Sequence, residues 1–165
     1  MTVISSTKNP EALSFTLVAE FDADVKRVWQ IWEDPRQLER WWGPPTYPAT
    51  FSHYEFTPGG EASYYMTGPD GEKPRGWWRI TDIQAPNRLE FDDGFADDNG
   101  APVKEVGASH ATVTLEDIGG RTRMTVQSVF ESEGQMNQMM EMGMEEGMKE
   151  AAGQIDALLA EPARA

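Results

Sequence analysis

Two histidines, His53 and His110, are the only imidazoles in this chain of 165 residues, and cysteine is absent. His53 precedes Glu55 by two positions, which places both side chains on one face of a strand. A zinc site needs three or four protein ligands, so this pair does not complete one, and no H-E-x-x-H helix motif supplies another. Gly107-Ala108-Ser109-His110-Ala111 has the start of a nucleophile elbow but lacks its last glycine. It also leads into strand-like sequence where an elbow needs a helix. Asp97-Asp98-Asn99-Gly100 begins like a calcium loop, yet Ala101 stands where the next ligand belongs and no glutamate closes the loop. No glycine-rich phosphate loop is present. Carboxylates remain: Glu55, Asp82 and Glu90 fall in strand positions, where burial would raise their pKa values toward acid–base work. Strands also turn every second side chain to solvent, so the same residues read equally as surface charge. No catalytic residue, metal ligand or cofactor site is assigned from these groups.

The sequence is richer in material for a cavity wall. Four of the six tryptophans lie between Trp29 and Gly60, beside Phe51, Tyr54 and Phe56. Such rings carry large apolar area, and each indole N–H also requires a partner. Six of the nine methionines lie between Met136 and Met148. Methionine is flexible and polarizable, which suits either an adaptable wall or plain core. Gly143 and Gly147 interrupt this stripe at about 1 kcal/mol each against alanine in a helix, so a close approach to a sheet or a ligand is expected to offset them.

The elements that must position these residues follow from periodicity. Residues 1–11 are polar and are expected to be a mobile segment ahead of a single domain at 12–161. Leu13, Phe15, Leu17, Ala19 and Phe21 alternate as a half-buried strand. Asp22 or Asp24 can cap the next segment, where Val25, Val28, Trp29 and Trp32 recur at helical spacing. Pro35 opens a second short helix that ends at Trp41-Trp42-Gly43. One of these two tryptophans is expected in a packed corner and the other at a cavity mouth. Six strand candidates follow, separated by turn signals: 49–56, 61–67, 76–83, 89–95, 111–116 and 122–130, with Asp117-Ile118-Gly119-Gly120 as a hairpin turn. Ile80 and Ile83 lie on opposite parities, which predicts a bulge between them. From Glu133 the period becomes helical for about 25 residues. Successive hairpins favour an antiparallel sheet, and only that sheet is large enough to be covered by the last helix.

Composition narrows the partners. The formal net charge is −14, and the arginines are scattered. Phosphate backbones would be repelled, so nucleic acid is not expected as a partner. No apolar run reaches the ~20 residues that span a bilayer, so no membrane insertion is expected. The N-terminal stretch lacks a charged-then-apolar signal pattern, and with no cysteine a cytoplasmic location is expected. A homodimer is compatible with a domain of this size.

In order along the chain stand W-x-x-W, D-P, R-W-W-G-P, the F-x-P-G-G turn, M-x-G-P-D-G, A-P-N-R-L-E-F, G-G-R-T-R-M-T-V and G-M-E-E-G-M. Over residues 13–160 this series resembles the Activator of Hsp90 ATPase homolog 1-like (AHSA1-like) family, within the START/Bet v 1-like SRPBCC superfamily. The resemblance implies an α+β helix-grip fold: a curved antiparallel sheet of about seven strands around a long C-terminal helix, with two short helices after the first strand. It also implies a cavity between sheet and helix. Relatives in the superfamily bind lipids, hormones and polyketides, and some are cyclases. Gly147-Met148 stands where family members often have Gly-Trp, a change that would reshape the cavity floor.

Binding of a small hydrophobic molecule of lipid, polyketide or aromatic type is therefore expected. Its wall would draw on Trp32, Trp42, Tyr54, Phe56, Tyr64, Met66, Trp78, Phe91, Met140, Met144 and Met148. A cyclase- or hydrolase-like enzyme using a cavity carboxylate or tyrosine is the alternative; its mark would be a buried acid beside a polar cavity rim. A chaperone-associated interaction domain, docking through acidic surface, is a third reading.

Overall fold

The computed structural model describes residues 2–103 and 107–161. Eight antiparallel strands form one sheet in the order β1-β2-β8-β7-β6-β5-β4-β3. They are β1 (Thr2–Asn9), β2 (Ser14–Phe21), β3 (Ala49–Tyr54), β4 (Glu61–Met66), β5 (Arg75–Gln84), β6 (Arg88–Ala96), β7 (Ala108–Asp117) and β8 (Thr122–Val129). Helices α1 (Val25–Glu33) and α2 (Pro35–Leu38) lie between β2 and β3. Helices α3 (Glu133–Glu141), α4 (Met144–Ala152) and α5 (Ile155–Leu159) follow β8.

Alternation decides which face of the sheet is the inner one. Phe15, Leu17, Ala19 and Phe21 of β2 are buried, as are Leu89 and Phe91 of β6. Ala111, Val113 and Leu115 of β7 join Met124 and Val126 of β8 on the same side. The register shift between Ile80 and Asp82 is the bulge that the two isoleucines require. Ordinary alternation buries Trp78 and Ile80 and leaves Trp77 partly covered, and the bulge after Ile80 lets Ile83, on the opposite parity, pack against the same core.

Helix α1 begins where Asp24 accepts a 2.8 Å hydrogen bond from the Arg27 backbone N–H. Its buried face is Val28, Trp29, Ile31 and Trp32. Removing that cap in Asp24→Ala is expected to lower unfolding stability by about 1 kcal/mol, read from the urea midpoint at unchanged slope. Asp34 ends α1 and accepts from the Arg36 N–H to start α2, with Pro35 at the first helical position.

Two expectations are corrected by the structure. The segment 1–11 was expected to be mobile and outside the domain, but residues 2–9 pair with β2 from Thr2↔Glu20 to Asn9↔Ser14. An edge strand needs no apolar face; backbone hydrogen bonding and β-branched residues suffice. This strand raises the count from seven to eight. Ser6 Oγ also donates to Glu145 Oε2 at 2.7 Å, which ties the edge to α4.

The single 25-residue helix is instead three pieces. Gly143 has a φ of 85°, a left-handed conformation that ends α3 and starts α4. Glycine populates that region without the Cβ penalty of other residues. The second break falls at Gly153-Gln154, and Gln154 Nε2 donates to the Gly43 carbonyl at 2.7 Å. The bend thus anchors the C-terminal helices to the Trp41-Trp42-Gly43 corner. Arg27 adds a second anchor through a 3.0 Å bond to the Leu158 carbonyl.

Candidate functional site

Between the inner face of the sheet and the C-terminal helices lies a pocket of about 550 Å³. Its walls are mostly rings and methionines. Of the residues predicted from sequence, Trp32, Trp42, Tyr64, Met66, Phe91, Met144 and Met148 border it. Tyr54, Phe56, Trp78 and Met140 do not. Tyr54 and Phe56 stack on each other at 5.7 Å, and Tyr54 donates to the Trp32 carbonyl. Trp78 is fully buried behind the wall, stacked on Phe91 at 4.0 Å. Met140 packs against the core instead.

Trp41 and Trp42 divide the two roles only in part. Trp41 is buried and donates its indole N–H to the Ile31 carbonyl at 3.1 Å, fixing the corner after α2. Trp42 stands edge-on to Trp78 at 4.8 Å. Both nevertheless border the pocket. Met142 also lines it and is 60% exposed, so the break between α3 and α4 lies at the mouth.

Gly147 borders the pocket, and a Cβ built there would meet no atom within 4 Å. Its reason is therefore not close approach to the sheet; the missing side chain leaves open space. Tyr64 does show a close approach. Its ring lies over its cross-strand partner Gly76, where a Cβ would come within 2.3 Å of the ring.

The one carboxylate that borders the pocket among the described residues, Asp93, was not among the candidates. Asp93 follows Phe91 by two positions on β6 and shares its inner face. Strand alternation, extended one step beyond Phe91, would have found it. The Tyr64 hydroxyl donates to Asp93 Oδ1 at 3.3 Å, a long and weak bond. Among the described residues, no lysine, arginine or histidine borders the pocket. Burial outweighs the hydrogen bonds from Tyr64 and the Gly94 backbone, and the Asp93 carboxyl is pushed up to about 7. Burial, reinforced by Asp93, holds the Tyr64 phenol well above its ordinary 10.

This shift carries a stability sign. Between pH 4 and about 7 the folded state holds a proton on Asp93 that the unfolded chain has released. Stability from this group therefore falls as pH rises through that window. Asp93→Asn, which removes the ionisation, is expected to raise stability at pH 8 by on the order of 2 kcal/mol and to leave pH 4 nearly unchanged, read from urea midpoints.

The carboxylates singled out from sequence lie elsewhere. Glu55 is exposed and meets His53 at 2.8 Å. Asp82 accepts from Gln84 at 2.9 Å. Glu90 and Asp92 face away from the pocket and hold the two ring nitrogens of His110 at 3.0 and 2.8 Å. Burial pulls the His110 pKa down, but the two carboxylates override it and leave it raised. Asp97 uses its carboxylate on its own loop, accepting from the Asn99 and Ala101 N–H groups. No group of three or more potential metal ligands occurs among the described residues.

Four buried indole N–H groups, on Trp29, Trp32, Trp42 and Trp78, have no hydrogen-bond partner among the described residues. Each unsatisfied buried donor costs about 1–3 kcal/mol, so four in one cluster is an unusual concentration. Those of Trp42 and Trp78 bear on the Tyr64 hydroxyl without closing a hydrogen bond.

A sheet folded around C-terminal helices, with an apolar pocket between them, defines a helix-grip-like α+β domain. The family model for "Activator of Hsp90 ATPase homolog 1-like protein" matches residues 22–160. The chain belongs to that family. A solution structure of a protein from Arthrobacter aurescens is 71% identical, with a TM-score of 0.94 over 99% of this chain and 95% of that one. A crystal structure of a protein from Mycobacterium smegmatis is 42% identical, with a TM-score of 0.90 over 98% of this chain and 99% of that one. The AHSA1 protein from Silicibacter pomeroyi shares the fold at 20% identity, with a TM-score of 0.72 over 89% of this chain and 97% of that one. No curated protein matches the chain. No described helix is long and apolar enough to cross a membrane.

Proposed function

We propose that this protein binds a small, mostly apolar molecule of lipid, polyketide or aromatic type in the pocket between its sheet and its C-terminal helices. The observation that carries this reading is unfilled space of about 550 Å³ walled by rings and thioethers. Small-molecule sites have this size and lining, with a few placed polar groups for orientation. Binding gains about 25 cal/mol per Å² of apolar area, offset by lost ligand freedom, so bare hydrocarbons would bind modestly. The acidic surface fits a small-molecule partner better than nucleic acid.

The test combines solvent extraction of the purified protein, read by mass spectrometry, with an apolar fragment screen followed by amide shifts. An extracted apolar molecule, or fragment-induced shifts at Asp93, Met144, Gly147 and Met148, is expected. A protein that yields nothing and ignores the whole library is not a carrier.

A second reading, acid–base catalysis, is favoured by one observation: Asp93 beside Tyr64 is a buried acid at the pocket's polar end. A single proton donor without a second base suits protonation of a bound oxygen more than hydrolysis.

A further inference from the structure

We propose that the polar end of the pocket, formed by the Asp93 carboxyl, the Tyr64 hydroxyl and the Trp42 indole N–H, selects an uncharged ligand through a carbonyl oxygen and disfavours both organic anions and ammonium ions. This rests on the pocket reading above and specifies the chemistry of its occupant.

Trp42 borders the pocket, and its indole N–H is buried without a partner. Trp32, also on the wall, has a second such donor. Tyr64 holds its O–H on Asp93 by a bond of 3.3 Å, long enough to be exchanged for a better acceptor. A carbonyl oxygen has two lone pairs and satisfies two of these donors at once. An ammonium group brings only donors and leaves the indoles unmatched. An organic anion finds no cation, since no basic side chain among the described residues borders the pocket.

Asp93 acts as a donor only while it is protonated, and its surroundings favour that form. Tyr64 faces it from β4; its register partners are Trp78 on β5 and Ser109 on β7; the helices opposite present methionines. None of these carries a charge at neutral pH, so burial alone raises its pKa, to about 7. A carboxylic acid kept neutral by an apolar site can donate to a ligand oxygen.

The test uses four probes with one two-ring body: 2-acetonaphthone, 2-ethylnaphthalene, 1-(2-naphthyl)ethylamine and 2-naphthoate. Each is titrated into the wild-type protein and followed by amide shifts at pH 6 and pH 8.5. The ketone is expected to bind at least tenfold tighter than 2-ethylnaphthalene at pH 6, with the advantage falling below threefold at pH 8.5. The amine and the carboxylate should bind more weakly than the ketone at pH 6. In Asp93→Asn, whose amide still donates, the ketone advantage should persist at both pH values. Tyr64→Phe should weaken the ketone and spare 2-ethylnaphthalene. Equal binding of ketone and hydrocarbon at pH 6 overturns the inference and leaves the pocket reading intact. So does tightest binding by the amine or by the carboxylate. If no probe binds, both fail.

Discussion

Replacing Trp78 with alanine is expected to destabilise the protein by about 3–5 kcal/mol, among the largest effects any single side chain here produces. Trp78 has no exposed surface. It stacks on Phe91 and meets Trp42, Phe51 and Tyr54 edge-on, with Trp32 beyond. Alanine would leave a void the size of an indole among groups that cannot all collapse into it. Ring pairs contribute about 0.5–1.5 kcal/mol each beyond their buried area, so losing several at once adds to the transfer term. A shift in the urea midpoint at constant slope would measure it. Because Trp78 lies behind the pocket wall, its loss also unsettles Trp42 and Phe91, which border the space. A midpoint change under 1 kcal/mol would show that the aromatic cluster is not the structural centre.

Gly147→Leu is expected to do the opposite to stability while weakening binding at least tenfold. The position lies inside α4, where leucine is favoured over glycine by roughly 0.5–1 kcal/mol. No atom stands within 4 Å of the added Cβ, so the new side chain enters free space. That space belongs to the pocket, and a butyl group there would displace ligand volume. The expected result is a slightly raised midpoint with at least tenfold weaker binding of 2-ethylnaphthalene, read by titration. Few substitutions separate binding from folding so cleanly, because most wall residues are also core. Lowered stability would mean that α4 packs more closely on the sheet than its glycine allows.

Much of the architecture was legible because periodicity reports burial directly. Leu17 and Phe21 on one face of β2, or Val28 and Trp32 on α1, declare a single inner side. The bulge between Ile80 and Asp82 was legible for the same reason, as a conflict of parity. Strand β1 escaped because an edge strand is held by backbone hydrogen bonds, which leave no apolar pattern. The helix breaks escaped because glycine at 143 and 153 is compatible with either a strained helix or a true end; only the φ of 85° at Gly143 decides.

The pocket was legible in kind and incomplete in membership. Seven of the eleven predicted wall residues border it, because large rings and methionines on inner faces must meet something. Trp78 and Tyr54 share that character but stand one layer back, which depends on packing depth that a one-dimensional pattern does not encode. Asp93 was missed for a different reason. A carboxylate between Phe91 and Phe95 reads as solvent-facing when judged by its own polarity, and as inward-facing when judged by its parity. Parity proved the better guide.

The central claim is that the space between sheet and helices admits an apolar guest. The most direct measurement is an isotope-filtered NOE experiment on protein labelled at methionine methyls and mixed with unlabelled 2-ethylnaphthalene. Cross-peaks from the naphthalene protons to the methyls of Met66, Met144 and Met148, and none to Met136 in the closed core, are the expected result. Contacts confined to methyls outside the pocket, or no contacts at saturating guest, would contradict it.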